Sequence, residues 1–347
     1  MKIAFIGFGG VARAFARMLI SRRWQLQERY GLSWRVTAIA TANHGCVSSN
    51  SGLDLDEVLE RLERNATLAG IADSTNCGDA ASLIEKCKAD ILFETTPLNP
   101  ETGEPAASYL RQALSRRINA VTANKGPIAF AYRELSQLAA RHGAQFRFEG
   151  TVMDGAPVFN MVESCLPGDR VLEFRGVLNS TTNYILTGME EGRPYEACLE
   201  EARGLGIVEA NPDYDLDGHD AAVKAVALAN VLMGADARPQ NVERKGIRGI
   251  TSDDLKSAAG AGLGIRLIAR AKAADGRTII RVGPERVPVG SPMGSLRGTS
   301  NALTIKTELM GELTLIEANP GIDQTAYALL SDMIIVHSRL DRTGGTH

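Results

Sequence analysis

From residue 1 to about residue 128, short apolar runs alternate with stretches of helical periodicity. "KIAFIG" has the length and character of a buried strand, and "VARAFARMLISR" brings Val11, Phe15, Met18 and Leu19 to one helical face. "WRVTAIAT" predicts a second strand. "ADILFETT" and "NAVTAN" predict two more, separated by the helical "PAASYLRQALSRR". "GPIAFAYRELSQLAARHG" is a helix stopped by Gly143, and "AQFRFEG" a further strand. Alternation of this kind predicts an α/β fold on a doubly wound, parallel sheet.

Past residue 150 the pattern changes. The helical stretches "APVFNMVESCL", "EACLEEARGLG" and "AAVKAVALANVLMG" are interleaved with longer strands, "VLEFRGVLN", "TIIRVGPERV" and "NALTIKTELMGELTLIEA". This predicts a mixed α+β second domain. The expected division is 1–150 for the first domain, 151–320 for the second, and 321–347 for a closing apolar helix, "DQTAYALLSDMIIVHSRL", that packs back on the first.

The 347 residues suit two domains rather than one. Hydrophobic residues at 44% and charged residues at 23% are ordinary globular proportions, and a net charge of -3 gives no bulk attraction for nucleic acid or an anionic membrane. Cys46, Cys77, Cys87, Cys165 and Cys198 form no CxxC pair, which fits a reducing cytoplasm better than a disulfide framework or a zinc site. No apolar run is long enough to span a bilayer and no signal-like segment opens the chain. A soluble cytoplasmic protein is the expectation.

"GFGGVA" places Gly7, Gly9 and Ala12 in a GxGxxA turn between the first strand and the first helix, with Gly10 in the turn and Val11 opening that helix. In such a turn one glycine permits the tight bend, the next lets a pyrophosphate approach the backbone, and a small third residue lets helix and strand pack closely. A Rossmann-type site for NAD or NADP is the functional reading, and an ordinary glycine turn the alternative. The acid that would hold the ribose 2′-hydroxyl of NAD is missing after the second strand, where Thr41, Ala42 and Asn43 stand; Arg13 supplies charge nearby. NADP is favoured on that ground. "ETTPLNP" and "TANKGP" put Thr95, Thr96, Asn124 and Lys125 at carboxyl ends of predicted strands, the side on which open parallel sheets bind ligands.

"NPDYDLDGHDAAVKAVALAN" crowds Asp213, Asp215, Asp217 and Asp220 ahead of Lys224 on a helix apolar all round. Asp220 and Lys224 are four residues apart, hence on one face. A solvated ion pair, an acidic loop holding a cationic group and a calcium loop are alternatives, although the terminal glutamate of a calcium loop is missing. A lysine on a buried helix needs a partner, and a carboxylate beside it tunes it toward proton transfer.

The segment "ARGLGIVEANPDYDLDGHDAAVK" resembles the signature of the homoserine dehydrogenases, with Ala202, Gly206, Asn211, Pro212, Asp215, Leu216, Gly218, Asp220 and Lys224 in register. "GFGGVARAF", "NAVTANKGPIA", "FEGTVMDGAPV" followed by "GVLNSTTNYIL", and "GIDQTAYALLSD" agree in order, so the resemblance covers nearly the whole chain. It implies NAD(P)-dependent interconversion of L-homoserine and L-aspartate 4-semialdehyde, a step of threonine, methionine and isoleucine biosynthesis, by a homodimer whose second domain is catalytic and dimerising. By the same resemblance Lys224 matches the catalytic proton donor, Asp220 its partner, and Lys125 the lysine at the cofactor–substrate junction. Glu209 and Asp215 match acids that hold the substrate, and Thr181 a residue that touches it. Gly7, Gly9 and Gly10 match the pyrophosphate loop, and Thr95 and Gly321 the nicotinamide side. Glu149, Val152, Asp154 and Ala156 match a sodium site built largely of backbone oxygens. This sequence departs from the family's pattern at Val208, Ser180 and "TVMDGAP". A dehydrogenase of another hydroxy or amino acid is one alternative, and a nucleotide-binding sensor without turnover another. The chain's length leaves no room for an appended regulatory domain.

Overall fold

The first apolar run forms β1 (Lys2–Ile6), and every residue after Lys2 in it is buried. The computed structural model describes residues 1–208 and 212–344, with side chains to Leu340. The chain divides into two compact units, residues 1–155 with 321–347, and residues 156–320.

In the first unit β1 leads to α1 (Gly10–Ser21) and α2 (Arg23–Tyr30), then to β2 (Arg35–Ala40) and β3 (Cys46–Ser48). α3 (Leu55–Glu63), β4 (Thr75–Asn76) and α4 (Ala80–Lys86) follow. β5 (Ile91–Glu94), α5 (Ala106–Ser115), β6 (Asn119–Thr122), α6 (Lys125–His142) and β7 (Phe146–Arg147) complete the order. The sheet runs β4-β3-β2-β1-β5-β6-β7. β2, β1, β5, β6 and β7 are parallel, and β3 and β4 add an antiparallel edge. Strand order reverses at β1, between β2 and β5, which is where a doubly wound sheet opens a ligand crevice beyond its carboxyl ends.

The buried face of α1 is Ala12, Phe15, Ala16 and Leu19. Ala12 and Ala16 are buried as completely as Phe15 and Leu19, while Val11 and Met18 flank them half-buried. Phe15 meets Phe5 and Phe93 at ring-centroid distances of 5.9 and 4.7 Å. The C-terminal helix, Ile322–Gly344, completes this core with Ala326, Leu329, Leu330, Met333 and Val336. Asn124 caps α6 by accepting from Gly126 N–H, and Gly143 ends it at φ +66°. Lys125 is therefore the first residue of that helix rather than the last of a strand. β7 is only two residues long because Glu149–Thr151 already turns as a short 3-10 helix.

The second unit opens with α7 (Val158–Cys165), β8 (Val171–Val177), α8 (Ser180–Glu190), α9 (Tyr195–Gly204), α10 (Asp213–Leu216) and α11 (His219–Leu232). β9 (Glu243–Arg244), α12 (Ser252–Gly260), β10 (Leu263–Ala274), β11 (Arg277–Pro288), β12 (Asn301–Thr307) and β13 (Glu312–Glu317) follow. These strands form a sheet ordered β13-β12-β8-β10-β11-β9, antiparallel except between β11 and β9. The run "NALTIKTELMGELTLIEA" is a hairpin, not one long strand. The chain reverses between β12 and β13, Gly311 takes φ +83°, and Asp169 accepts from the N–H groups of Leu309 (3.0 Å) and Met310 (2.9 Å).

Candidate active site

At the end of β1, Gly7 N–H donates to Ala40 O of β2 (2.9 Å). Gly7 has φ +84°, and a Cβ there would lie 2.7 Å from the main-chain carbon of Thr95, so only glycine lets the β1 and β5 ends approach this closely. Thr95 ties the same two ends, its N–H donating to Ile6 O (2.9 Å) and its hydroxyl to Gly7 O (3.0 Å). A Cβ on Gly9, by contrast, would meet nothing within 4 Å. The turn is thus locked on its sheet side and open on its outer side, at the N-terminus of α1. That is the cradle a dinucleotide pyrophosphate needs, and the residues present fit one. Val11 packs its side chain against the core. Ile322, next to Gly321, comes within 3.5 Å of where a Gly10 Cβ would stand, so the C-terminal helix starts beside the glycine turn.

A carboxylate that the sequence reading passed over organises the neighbouring strand ends. Glu94, fully buried, accepts from Thr96 N–H (2.8 Å) and hydroxyl (2.5 Å) and from the Thr122 hydroxyl (2.6 Å). Burial pushes its carboxyl up, against those hydrogen bonds. Asn124, capping the helix that Lys125 begins, donates to Thr96 O (3.1 Å). Thr96 and the start of α6 are thereby held together. After β2, Thr41 caps a tight turn by donating to Gly45 O, and no acid occupies that turn. Arg13 is committed to main-chain carbonyls of Phe8 (3.2 Å) and Leu62 (3.5 Å).

In the second unit the acidic run is divided between α10, which Asp217 caps at its C-terminus, and α11, which holds Asp220. Asp213 and Asp217 face outward and both pair with Arg248, so the cation this half of the run binds is the protein's own. Asp215 and Asp220 face inward. Lys224 Nζ lies 3.3 Å from Asp220 Oδ2, with the two side chains 15% and 8% exposed, and donates to Leu178 O at 2.7 Å. This is a buried pair, not a solvated one. Asn179 donates to Asp215 (2.8 Å) and to Asp220 (3.0 Å), and the Thr181 hydroxyl donates to Asp215 Oδ2 (2.9 Å). Burial pushes the Asp215 carboxyl up and Asp220 adds to this, while Asn179, Thr181 and Lys224 pull it back. Tyr214, stacked on His219 with ring planes 9° apart, has its hydroxyl pushed up by burial and by both aspartates. The structure brings Lys224, Asp220, Asp215 and Thr181 together. Glu209 lies outside the described residues.

Among the described residues no group of three or more His, Cys, Asp or Glu side chains could hold a metal, whereas the site matched to sodium is one built largely of backbone oxygens. Glu149 N–H donates to Asp332 (2.9 Å), Val152 is buried, and Asp154, at φ +39°, accepts the Thr325 hydroxyl (2.9 Å). Ala156 is the first residue of the second unit.

Sequence reasoning assigned no role to Asn179 or Glu94. An asparagine closing an apolar strand ahead of "STT" carries an N-cap signal, and an acid ending the buried run "ILFE" is a conflict that only partners can relieve.

A glycine cradle at the switch point of a parallel sheet serves hydride chemistry with a nicotinamide dinucleotide, so the class is that of NAD(P)-dependent oxidoreductases. Two family models match the chain: "Homoserine dehydrogenase, NAD binding domain" over residues 7–149 and "Homoserine dehydrogenase" over residues 157–334. The homoserine dehydrogenase of Methanocaldococcus jannaschii is 37% identical over 339 residues, 97% of this chain and 99% of that protein. An NAD(+)-dependent homoserine dehydrogenase of Pseudomonas canavaninivorans is 36% identical, over 98% of this chain and 97% of its own. Among solved structures, a hyperthermophilic archaeal homoserine dehydrogenase in complex with NADPH superposes with a TM-score of 0.82 at 30% identity, over 97% of this chain and 98% of that one. The chain belongs to the homoserine dehydrogenase family, NAD(P)-dependent oxidoreductases that act on a CH–OH group.

Proposed function

We propose that in the interconversion of L-homoserine and L-aspartate 4-semialdehyde Lys224 is the proton donor and acceptor. The observation that carries this is the part-buried amine itself, fixed between Asp220 and Leu178 O on a helix stretch, Ala221 to Ala229, otherwise apolar. A bound nicotinamide dinucleotide supplies or accepts the hydride. Lys224 gives its proton to the oxygen that becomes the homoserine hydroxyl and takes it back in the oxidation direction. Asp220 keeps the amine charged before transfer, and Leu178 O aims it. Asp215, steadied by Thr181, offers a carboxylate to the substrate's ammonium or hydroxyl; Glu209 shares that role by its motif. Gly7, Gly9, Gly10 and Val11 would hold the pyrophosphate through the helix N-terminus, and Thr95, Thr96 and Gly321 the nicotinamide side. Lys125, at the head of α6, serves the junction of cofactor and substrate.

The turn after β2 without an acid favours NADP over NAD, and Arg13, which gives Nε and Nη1 to main-chain carbonyls, keeps its positive charge. Homoserine oxidation assayed with each dinucleotide decides between them. The resemblance supports a sodium ion held largely by backbone oxygens at Glu149, Val152, Asp154 and Ala156; activity unchanged when sodium is replaced by a large organic cation would remove it. A homodimer is supported by the apolar side chains of Leu309, Met310 and Ile316, exposed on the hairpin at the sheet edge. Molar mass in solution tests it. Cytoplasmic residence is supported by five free cysteines, and no helix of the described residues is long and apolar enough to cross a membrane.

The central test is Lys224→Ala. Turnover of homoserine should fall about 10²- to 10⁴-fold while dinucleotide affinity stays near that of the unaltered protein. Normal turnover, or equal loss of folding and activity, would remove Lys224 from the reaction.

A further inference from the structure

Asn179 ends the link from β8 to α8, and each polar atom of its side chain is spent. Its Oδ1 caps α8 by accepting from Thr182 N–H at 2.9 Å. Its Nδ2 faces Asp215 Oδ1 at 2.8 Å and Asp220 Oδ2 at 3.0 Å. This orientation is forced. Rotating the amide by half a turn would set its NH₂ against an N–H and its carbonyl against two carboxylates. The residue itself is buried.

A helix cap needs only the oxygen, and Ser, Thr or Asp would serve as well. Only an asparagine of this length also presents two hydrogens, one to each carboxylate. Without them, two desolvated like charges would face each other across the site and compete for Lys224. The carbonyl just before Asn179 takes a hydrogen from Lys224, so one link of chain touches the amine directly and steadies both acids around it.

We infer that Asn179 is a positioning residue for proton transfer: by giving one amide hydrogen to each aspartate, it reserves Asp220 for Lys224 and Asp215 for the substrate. The inference rests on the assignment of Lys224, Asp220 and Asp215 proposed above.

The experiment compares the unaltered protein, Lys224→Ala, Asn179→Ser and Asn179→Asp. Both Asn179 variants keep a capping oxygen and lose the amide. Both should fold and bind NADP(H) within threefold of the unaltered protein, yet lose about a hundredfold in homoserine kcat/KM. The acid limb of their pH profile should move to higher pH, because Asp215 loses a donor that favours its charged form. Among the described residues, the titratable groups facing Asp215 are Asp220 and Lys224 from α11 and Tyr214 from α10, with Arg244 beyond Tyr214. An unaltered protein inactive on homoserine, or a Lys224→Ala variant that turns over normally, sinks the catalytic assignment. If those two behave as proposed, an Asn179→Ser variant within threefold in kcat/KM with an unmoved acid limb overturns this inference alone. Failure of both Asn179 variants to fold overturns it too, since that would make the amide a requirement of the fold and not of the reaction.

Discussion

Glu94 shows how one buried acid disciplines a ligand-facing edge. Its Oε1 holds Thr96 twice and its Oε2 holds Thr122, so one carboxylate ties the β5 and β6 ends together. Glu94→Gln keeps the shape and one acceptor, but turns an NH₂ toward the Thr122 hydroxyl. The expected cost is about 1–3 kcal/mol, measured by chemical denaturation, with weaker dinucleotide binding. The pH dependence has a definite sign. A carboxyl raised in the folded state contributes most favourably below its unfolded value of about 4.3 and less as pH climbs toward the raised value. The variant lacks that slope, so its stability deficit should narrow as pH rises through that window; a deficit that grows would mean the shift has the opposite direction. Lys224 and Asp220 were legible because a lysine on an all-apolar helix stands out against its neighbours. Asn179 and Glu94 were not, because their meaning lies in partners distant in sequence, such as Asp215 for the one and Thr122 for the other.

Elements were legible where burial writes a pattern. β1, β5 and β6 lie inside a parallel sheet covered on both faces, and their apolar runs announce them. β3 and β4, three and two residues long at an edge, carry no such run. β10 escaped notice because Arg266, Arg270 and Lys272 interrupt its apolar residues; Arg266 is nonetheless fully buried, paired with Glu190 at 2.6 Å. The β12–β13 hairpin reads as one strand in the sequence because its turn, "ELMG", is half apolar. What makes it turn lies elsewhere in the chain, at Asp169. Opposing the desolvation that would raise it, hydrogen bonds from Thr307, Leu309, Met310 and Arg170 bring this carboxyl down to about 2. A depressed carboxyl stabilises the fold above its unfolded value of about 3.9 and loses that contribution as pH falls toward 2. Asp169→Asn should therefore be less stable than the unaltered protein at neutral pH and converge with it in that acid range. Parallel denaturation midpoints across the range would show that Asp169 does not hold the hairpin through its charge.

At the scale of the molecule, the first unit depends on the last stretch of chain. Its sheet is complete by Arg147, yet the apolar face of α1 is finished only by the C-terminal helix. Leu329, Leu330, Met333 and Val336 are buried there. At about 1.5–3 kcal/mol for each side chain, the four contribute about 6–12 kcal/mol. That is comparable with the 5–15 kcal/mol by which whole domains are stable. The same helix starts beside Gly10 and donates the Thr325 hydroxyl to Asp154, so its loss would undo the glycine turn's surroundings as well as the core. Truncation after Pro320 should leave residues 1–155 unable to fold and unable to bind a dinucleotide. The second unit contains none of these residues, so residues 156–320 should outlast the rest of the truncated chain under limited proteolysis. A truncated protein that still binds NADP(H) with near-normal affinity would mean the α1 face is stable uncovered, and the helix a late addition rather than a part of the core.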